Sequence, residues 1–392
     1  MATFYVTPTG SDSNDGTSIS TSKLTINGAI QAISSTSYFS GYEQNTVEVY
    51  SSASGPATYY GKHASYNSNI INTVQGSKYG TTVIAAGPHE VILDCSNKTR
   101  GAYLTFYSRI SGFTFTASVP SARTTDDTVE PVLNASTQIR VDNCTFDNCT
   151  GGSRTCVLTG GDNTRSNRYD PWVKRCTFKN LDCTSAIRSP LNYVGIYESI
   201  LIHDSEFNLQ AVYHHGHATL HGIVRHITID GCTIGNAAID TSKTDIQNCI
   251  VSNCAVPASY RFYDVLNGAE VDNCLAFNNT TVSGNFFSTG DTRNNCVLDD
   301  PQYTDRAGKD FTLTSGSPAK NAGIAPTVGS LGSGLGTVFD INSASFDASN
   351  PSMGAFRFTA IVVPPPPATV TFTLRGGSLN FKGNNNSLTI KG

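Results

Sequence analysis

The chain of 392 residues has little charge, one tryptophan, two methionines and few strong helix formers. Charged residues make up 14% of it and the formal net charge is -4, so nothing in the overall balance favours binding to nucleic acid or to an anionic membrane. No run of about 18 apolar residues occurs, and no membrane-spanning helix is predicted. A polyanionic partner would have to be bound by a local group of residues.

Two further features are missing. The N-terminal stretch "MATFYVTPTG" has no basic region followed by an apolar segment, so we predict no secretory signal and folding in the cytoplasm. The 11 cysteines are odd in number and none has CxxC spacing, which favours reduced thiols over disulfides and over a zinc or redox site. What is abundant is Gly, Ser, Thr and Asn beside Val, Ile, Phe and Tyr, a composition typical of many short strands joined by tight turns.

A short cysteine motif recurs as "VDNCTF", "VKRCTF", "IDGCTI", "IQNCIV" and "VDNCLA". Apolar residues stand three positions before and two positions after each cysteine, as Val141 and Phe146 do around Cys144. These two positions would face opposite sides of a continuous strand, because five is odd. We therefore expect the two polar residues before each cysteine to form a corner in left-handed backbone conformations, which turns all three positions inward.

The motif indicates a solenoid in which each coil buries its apolar face only by stacking on the next one. Stacked coils lie about 4.8 Å apart, so one inward position per coil forms a ladder of like side chains. Cysteine in such a ladder acts as a small apolar core residue. The residues assigned to this one ladder are Cys144, Cys176, Ser205, Cys232, Cys249, Cys274 and Cys296.

Both ends of the chain carry a resemblance to a known family. "FYVTPTGSDSNDGTS" followed by "LTINGAIQAI" resembles the opening of right-handed parallel β-helix proteins of the pectate-lyase-like superfamily, and "DDPQYTDRAGKDFTLTSGSPAKNAG" with "PSMGAFRF" resembles their final coils. The resemblance covers roughly residues 3–358 and implies an all-β right-handed solenoid with a short N-terminal capping helix. Ile26, Ala29, Ile30 and Ile33 recur at helical spacing and support that cap. The superfamily contains lyases, hydrolases, epimerases and virus spikes, so it implies no single activity.

We predict three parts. Residues 1–361 form the capped β-helix, residues 362–368 contain "PPPP" and form a stiff linker, and residues 369–392 form a small β tail. A tail of two or three strands has too little core to fold alone. It is expected to pair with copies of itself, giving a homotrimer, or with another protein.

The second strand of each coil suggests a site. Aligned on inward residues Val157, Ile187, Val212, Ile239 and Val256, these strands place the next residue of each on the outward face. The resemblance to polysaccharide lyases implies a base of Arg, Lys, His or Tyr type and a cation or calcium that stabilises negative charge. The candidate catalytic residues are Arg188, Tyr213, His215 and Asp240, and the candidate substrate-binding residues are Tyr169, Trp172, His214 and His217.

Other interpretations of these residues stay open. Charged and tyrosine side chains on an exposed sheet are also ordinary solvated partners, and Trp172 can stack on a sugar or pack its loop against the coil. His215 and His217 share a strand face but lack an assured third ligand, so no metal or cofactor is predicted and calcium has no recognisable motif. The carboxylates that would suit a glycoside hydrolase are Asp126, Asp127, Glu130, Asp204 and Glu206, of which Asp204 falls at a predicted corner.

Three classes of function fit this pattern. The favoured one is a virion structural protein, such as a phage spike, fibre or surface decoration, that is made in the host cytoplasm and binds host surface polysaccharide. The alternative is a secreted polysaccharide lyase or glycoside hydrolase that acts on acidic polysaccharide. A third is an adhesin-like binding module. The expected partners are copies of the chain, other virion proteins and polysaccharide.

Overall fold

The computed structural model describes most of the chain up to residue 358. The described residues are 2–34, 45–60, 70–73, 78–96, 101–105, 107–118, 129–131, 139–150, 155–159, 172–193, 195–216, 222–257, 261–266, 268–280, 292–325, 338–347 and 349–358. They contain one helix, α1 (Ile26–Ala32), and three sheets of 21, eight and two strands.

The strands are short and follow one another around the coils. The first sheet contains β1 (Ala2–Val6), β2 (Asn45–Tyr50), β3 (Ala57–Tyr60), β5 (Thr81–Ala86), β6 (Val91–Asp94), β8 (Arg109–Ser111), β9 (Phe113–Ser118), β11 (Arg140–Asp142), β12 (Thr145–Thr150), β14 (Trp172–Lys174), β15 (Thr177–Lys179), β16 (Asp182–Cys183), β18 (Ile196–His203), β19 (Glu206–Phe207), β21 (Gly222–Asp230), β22 (Thr233–Ile234), β24 (Thr244–Gln247), β25 (Ile250–Ser252), β27 (Glu270–Asp272), β28 (Leu275–Phe277) and β29 (Thr292–Asn294). The second sheet contains β4 (Ile71–Asn72), β7 (Ala102–Leu104), β10 (Val129–Pro131), β13 (Thr155–Leu158), β17 (Ser185–Tyr193), β20 (Val212–Gly216), β23 (Ile239–Ser242) and β26 (Tyr263–Leu266). The two-stranded sheet pairs β30 (Tyr303–Asp305) with β31 (Asp310–Leu313).

Neighbouring coils pair in parallel throughout the first and second sheets. In β11, for example, Val141 lies opposite Ile110 of the preceding coil and Val173 of the following one. Inside the core, the ring of Phe146 stacks at 4.9 Å on that of Phe115 and at 4.7 Å on that of Phe178. These spacings match the separation of adjacent strands. The predicted all-β parallel β-helix is therefore confirmed.

Each bend depends on one left-handed residue, not on two. In the coil of Cys144, Asp142 is the last residue of β11, and only Asn143 has a positive φ, of 50°. Arg175, at φ 52°, does the same before Cys176. The expectation of a two-residue corner is therefore wrong. The expected inward position of the cysteine is still found, because a single left-handed residue is enough to shift the alternation of side chains.

Each coil makes two such bends, so the cysteines form two ladders where one was predicted. The first ladder follows the first bend and contains Cys144, Cys176, Ile200, Ile227, Cys249, Cys274 and Cys296. The second follows the second bend and contains Cys149, Leu181, Ser205, Cys232 and Cys254. The assignment of Ser205 and Cys232 to the same ladder as Cys144 is therefore wrong. Asp204, at φ 49°, is a bend residue as expected.

All 11 thiols are free, and ten of them are buried. Burial raises the pKa of the Cys144 thiol to about 12, and burial also raises the pKa of Cys176 well above its usual value. A thiol in this state is protonated and unreactive at neutral pH. The cysteines are core residues, as the sequence predicts.

Helix α1 covers the N-terminal end of the core. Ile26, Ala29 and Ile30 are buried on one stripe, and the Thr25 hydroxyl accepts from the Gly28 N–H as the helix cap. The predicted capping helix is confirmed. The described part of the chain contains no helix with the length and apolar character that crossing a bilayer requires.

Residues 298–358 are here called the terminal segment, and the part of them that the structure describes adds no further coil. Its described part runs back over the outward side of the first sheet, where Leu201, Ile250 and Leu275 pack against it. The Ala355 N–H donates to Thr228 Oγ1 at 2.9 Å. The expectation that this segment forms the last coils is corrected: it shields one outward face of the shaft. The predicted linker at 362–368 and tail at 369–392 lie outside the described residues and stay predictions.

Candidate functional site

The outward face of the second sheet carries a row of polar residues on four consecutive coils. Ile187, Val212 and Ile239 stand opposite one another and point into the core. Because side chains alternate along a strand, the residue after each of them faces outward. We call the resulting row Arg188, Tyr213, Asp240 and Asp264 the outward column.

Arg188, Tyr213 and Asp240 occupy three consecutive coils, as the sequence alignment predicts. The Arg188 guanidinium carbon lies 5.9 Å from the centroid of the Tyr213 ring, within the range of a cation–π contact. Arg188 Nε is buried and has no acceptor among the described residues. The row thus offers an unpaired cationic donor beside an aromatic ring, while the catalytic roles assigned to these residues stay predictions.

Asp264 extends the column and was missed by the sequence alignment. Register places Tyr263 opposite Ile239 and Asp264 opposite Asp240. Val256 is buried as expected, but its predicted alignment with Ile239 is wrong. Val256 instead follows the second bend of its coil, since neighbouring Ala255 pairs with Thr233. The signal was present in the sequence, because "NCAV" at residues 253–256 repeats the bend pattern of "GCTI" at 231–234.

The electrostatics of the column centre on Asp240. Burial raises the pKa of its carboxyl group to about 6; Gln210, whose Nε2 donates to Asp240 Oδ2 at 2.8 Å, opposes the rise, and Asp264 adds to it. Burial also raises the pKa of Tyr213. Two carboxyl groups on adjacent coils therefore differ in environment, and Asp240 changes charge in mildly acidic solution.

The assignment of His214 to substrate binding is wrong. Its ring is fully buried and points into the core. The Gly195 N–H donates to Nε2 at 3.1 Å, so Nδ1 carries the proton and donates to Thr244 Oγ1 at 2.9 Å. A Cβ atom at Gly195 would lie 2.6 Å from Nε2, and one at Gly222 would lie 2.7 Å from Cε1. Two glycines thus make room for an internal histidine that no ligand reaches.

The other predicted residues fall in different places. His215 lies outward on β20, two residues after Tyr213 and opposite Ser242, and it borders the column. Tyr169 and His217 lie outside the described residues.

Trp172 does not belong to the column, because it begins β14 of the first sheet. Its ring is held by Arg140, whose guanidinium carbon lies 3.8 Å from the ring centroid, and by Lys174, whose Nζ lies 4.6 Å from it. These contacts favour the interpretation that Trp172 packs against the coil over the one in which it stacks on a sugar.

No group of three or more His, Cys, Asp or Glu side chains that could hold a metal ion occurs in the part of the chain that the structure describes. The column and its border offer guanidinium, phenol, imidazole and carboxyl groups.

No model of a known protein family matches the chain, and no curated protein matches it in sequence. Among solved structures, the chain is similar to a GH136 lacto-N-biosidase from Eubacterium ramulus, with 10% identity and a TM-score of 0.43 over 76% of this chain and 68% of that one. It is similar to pectate lyase Pel9A, with 13% identity and a TM-score of 0.36 over 92% of this chain and 97% of that one. It is also similar to a rhamnogalacturonan lyase, with 11% identity and a TM-score of 0.35 over 76% of this chain and 74% of that one. The strand register described above, not these similarities, establishes the fold of this chain.

Proposed function

We propose that the chain binds an acidic polysaccharide along the outward column. The observation that carries this proposal is Arg188 Nε, a buried cationic donor without an acceptor among the described residues. A buried donor of this kind is costly unless a partner supplies an acceptor. A sugar carboxylate supplies two such oxygens and is the group that a guanidinium binds in bidentate geometry.

The remainder of the column suits a polymer. Its residues repeat once per coil, at about 4.8 Å, so successive units of an extended chain can meet successive side chains. Tyr213 offers an aromatic edge and face, and the carboxylates of Asp240 and Asp264 accept from hydroxyl groups. The terminal segment covers one outward side of the first sheet, which supports the second sheet as the binding face.

Replacing Arg188 by alanine is expected to weaken binding of an acidic bacterial exopolysaccharide by about tenfold or more, because one charge-assisted contact is lost. Isothermal titration calorimetry on the full chain measures the effect. Arg357→Ala, the same change on the terminal segment, is the matched control and should leave the affinity unchanged. Equal affinities for the wild-type chain and the Arg188 variant would show that the outward column does not bind the polysaccharide.

Glycoside hydrolysis is the second candidate, and the pairing of Asp240 with Asp264 favours it. A carboxyl group whose pKa is raised to about 6, as that of Asp240 is, can donate a proton to a leaving oxygen, and hydrolysis needs a second carboxyl group beside it, a place that Asp264 would take. Lyase chemistry would instead need Arg188, Tyr213 or His215 as the base, and the raised pKa of Tyr213 makes its phenolate scarcer.

If the chain is a hydrolase, cleavage should be fastest below about pH 6, where Asp240 is protonated, and should fall as pH rises through that value. Asp240→Asn is expected to lower the rate by about a hundredfold or more while binding persists. Reducing ends released from the exopolysaccharide measure cleavage, and absorbance of unsaturated uronates measures the lyase reaction. Undiminished cleavage by the Asp240 variant would exclude this assignment.

We also propose that the chain is a virion structural protein that assembles as a homotrimer at the surface of the particle. The alternating apolar and polar residues of "TVTFTLRGG" and "SLTIKG" in the tail support this, since they suit strands that need partners. Light scattering of the full chain should give three times the 41.7 kDa chain mass. A mass of one chain at micromolar concentration would contradict the trimer.

A further inference from the structure

A second cleft lies on the outward side of the first sheet, near the last described coils. Its volume is about 650 Å³, within the usual range for sites that bind small molecules. Side chains of adjacent coils and one residue of the terminal segment line it. The lining residues that matter are Asp245, Glu270, Asp272, Asn273, Arg293 and Ile324.

The coil register places the carboxylates side by side. Ile246 lies opposite Val271, so Asp245 and Glu270, which precede them, stand on neighbouring coils. The Glu270 N–H donates to Asp245 Oδ1 at 3.1 Å, which holds the two residues together. Asp272 follows on the same strand as Glu270 and faces the same side, because the two residues are two positions apart. Three carboxylates therefore border one concave surface.

An unsatisfied acceptor adjoins these carboxylates. Asn273 is a bend residue with an exposed fraction of only 9%, and its Nδ2 donates to the Ala322 carbonyl at 2.7 Å. Its Oδ1 is buried and has no donor among the described residues. An acceptor in this state is costly unless a ligand or water donates to it. The orphaned amide oxygen is independent of the carboxylates and indicates the same kind of ligand, one rich in donors.

The charges that line the cleft indicate which class of ligand it can bind. Three carboxylates face one guanidinium, that of Arg293, so the cleft disfavours an anionic sugar. The acidic groups do not form a metal site in the described part of the chain. A protonated primary amine has three donors and a single positive charge, which fits several spread acceptors. The lining includes one aliphatic side chain, Ile324, and is otherwise polar, which suits a ligand bearing hydroxyl groups.

We infer that this cleft binds an amino sugar through its protonated primary amine, with the Asp245, Glu270 and Asp272 carboxylates and Asn273 Oδ1 as acceptors. The site is separate from the outward column, and its proposed ligand has the opposite charge to the one proposed there. It would let one shaft hold two chemically different parts of a surface glycan. The inference does not depend on the column, and the experiment below separates the two sites.

The test is calorimetry on the full chain with a glucosamine tetramer as the probe and the N-acetylglucosamine tetramer as its uncharged counterpart. We expect the glucosamine tetramer to bind at least tenfold more tightly. Glu270→Gln, which keeps the size of a half-buried side chain, should weaken this binding about tenfold, and so should Asp245→Asn. Glu206→Gln, the same change at an exposed carboxylate on β19, is the matched control and should have no effect. A thermal unfolding curve of each variant verifies that it is folded.

Several results would overturn the inference. Equal binding of the two tetramers would show that the charge does not matter, and full binding by the Glu270 and Asp245 variants would place the ligand elsewhere. If Tyr213→Ala loses binding of the glucosamine tetramer and the cleft variants do not, the tetramer binds at the outward column. Binding of oligolysine in preference to the glucosamine tetramer would make the occupant a basic protein segment. If an acidic polysaccharide fails to bind while the glucosamine tetramer binds, the function proposed for the outward column is wrong and the inference of an amino-sugar site still holds.

Discussion

Replacing Arg225 by methionine is expected to lower the free energy of unfolding by about 3–5 kcal/mol, as removal of one partner from a buried ion pair does. Arg225 is 2% exposed, and its Nε donates to Glu198 Oε2 at 2.7 Å. Burial alone would raise the pKa of Glu198, but Arg225 and Lys174 hold it below its usual value. Without Arg225 a carboxylate stays buried with a single cation, Lys174 Nζ, 3.3 Å from its Oε1. Urea unfolding monitored by circular dichroism measures the loss.

A double-mutant cycle gives the prediction its control. Glu198→Gln combined with Arg225→Met should cost less than the sum of the two single changes, because the double variant leaves neither charge of this pair buried without the other. Arg293→Met makes the same change at an exposed arginine and should stay within about 0.5 kcal/mol of wild type. Additive single costs would mean that the Glu198–Arg225 pair does not act as a unit.

Acidification from pH 7 to pH 5 is expected to lower the free energy of unfolding by about 2–3 kcal/mol. Burial lowers the pKa of both His214 and His226 from 6.5 to about 3, and Arg225 depresses that of His226 further. Between pH 6.5 and pH 3 the unfolded chain binds these two protons and the folded chain does not, so stability rises with pH in that window. Each histidine lowers the free energy of unfolding by about 2 kcal/mol on this acidification, while Asp240, whose pKa is raised to about 6 in the folded chain, offsets roughly 1–1.5 kcal/mol.

Asp240 titrates in this window with the opposite sign to the two histidines. Unfolding curves at pH 7, 6 and 5 measure the net slope, and His214→Gln should reduce the loss between pH 7 and pH 5 by about 2 kcal/mol relative to the wild-type chain. His215→Gln, a change at the neighbouring outward histidine, is the control and should leave most of the slope in place. Equal stability at pH 7 and pH 5 would show that the two internal histidines are not neutral in the folded chain.

The sequence predicts the fold best where the backbone preference of one residue and the fit of its neighbour in the core indicate the same structure. Asn143 and Cys144 predict a bend followed by a core residue, because asparagine tolerates positive φ and a small apolar side chain suits an internal ladder. The two bends in each coil were harder to separate. Cys232 and Cys249 are only 17 residues apart, and this short step marks the change from the second bend of one coil to the first bend of the next.

The position of the terminal segment could have been read from one further pattern. The outward residue after the first ladder is Thr145 and Thr177 in two coils, then Leu201, Ile250 and Leu275 in later ones. An apolar residue on the outward side requires a cover, and the terminal segment provides it. Its long-range partners, such as Arg306 with Asp230, follow from no local rule.

The site was predicted in part for the same reason. Alternation placed Arg188, Tyr213 and Asp240 on one face, since it needs only the correct inward residue in each coil. Aligning Val256 with Ile239 hides Asp264, because Val256 follows the second bend of its coil and Tyr263 is the residue opposite Ile239. The prediction of His214 as a binding residue groups the three histidines of "YHHGH" together. Strand alternation alone turns His214 inward, between the outward residues Tyr213 and His215.

Engineered disulfide formation across adjacent coils tests the central claim, that the coil register builds the outward column. Asp240 and Asp264 are opposite residues on neighbouring parallel strands, a separation that a disulfide can span. The double variant Asp240→Cys, Asp264→Cys should form this bond on mild oxidation, seen as a linked peptide by mass spectrometry under non-reducing conditions, while the buried native thiols stay free. The pair Asp240→Cys, Pro257→Cys should not, although Pro257 follows Val256 and would be the outward residue opposite Asp240 if Val256 were aligned with Ile239. Linkage to position 257 in place of position 264 would contradict the register and with it the column.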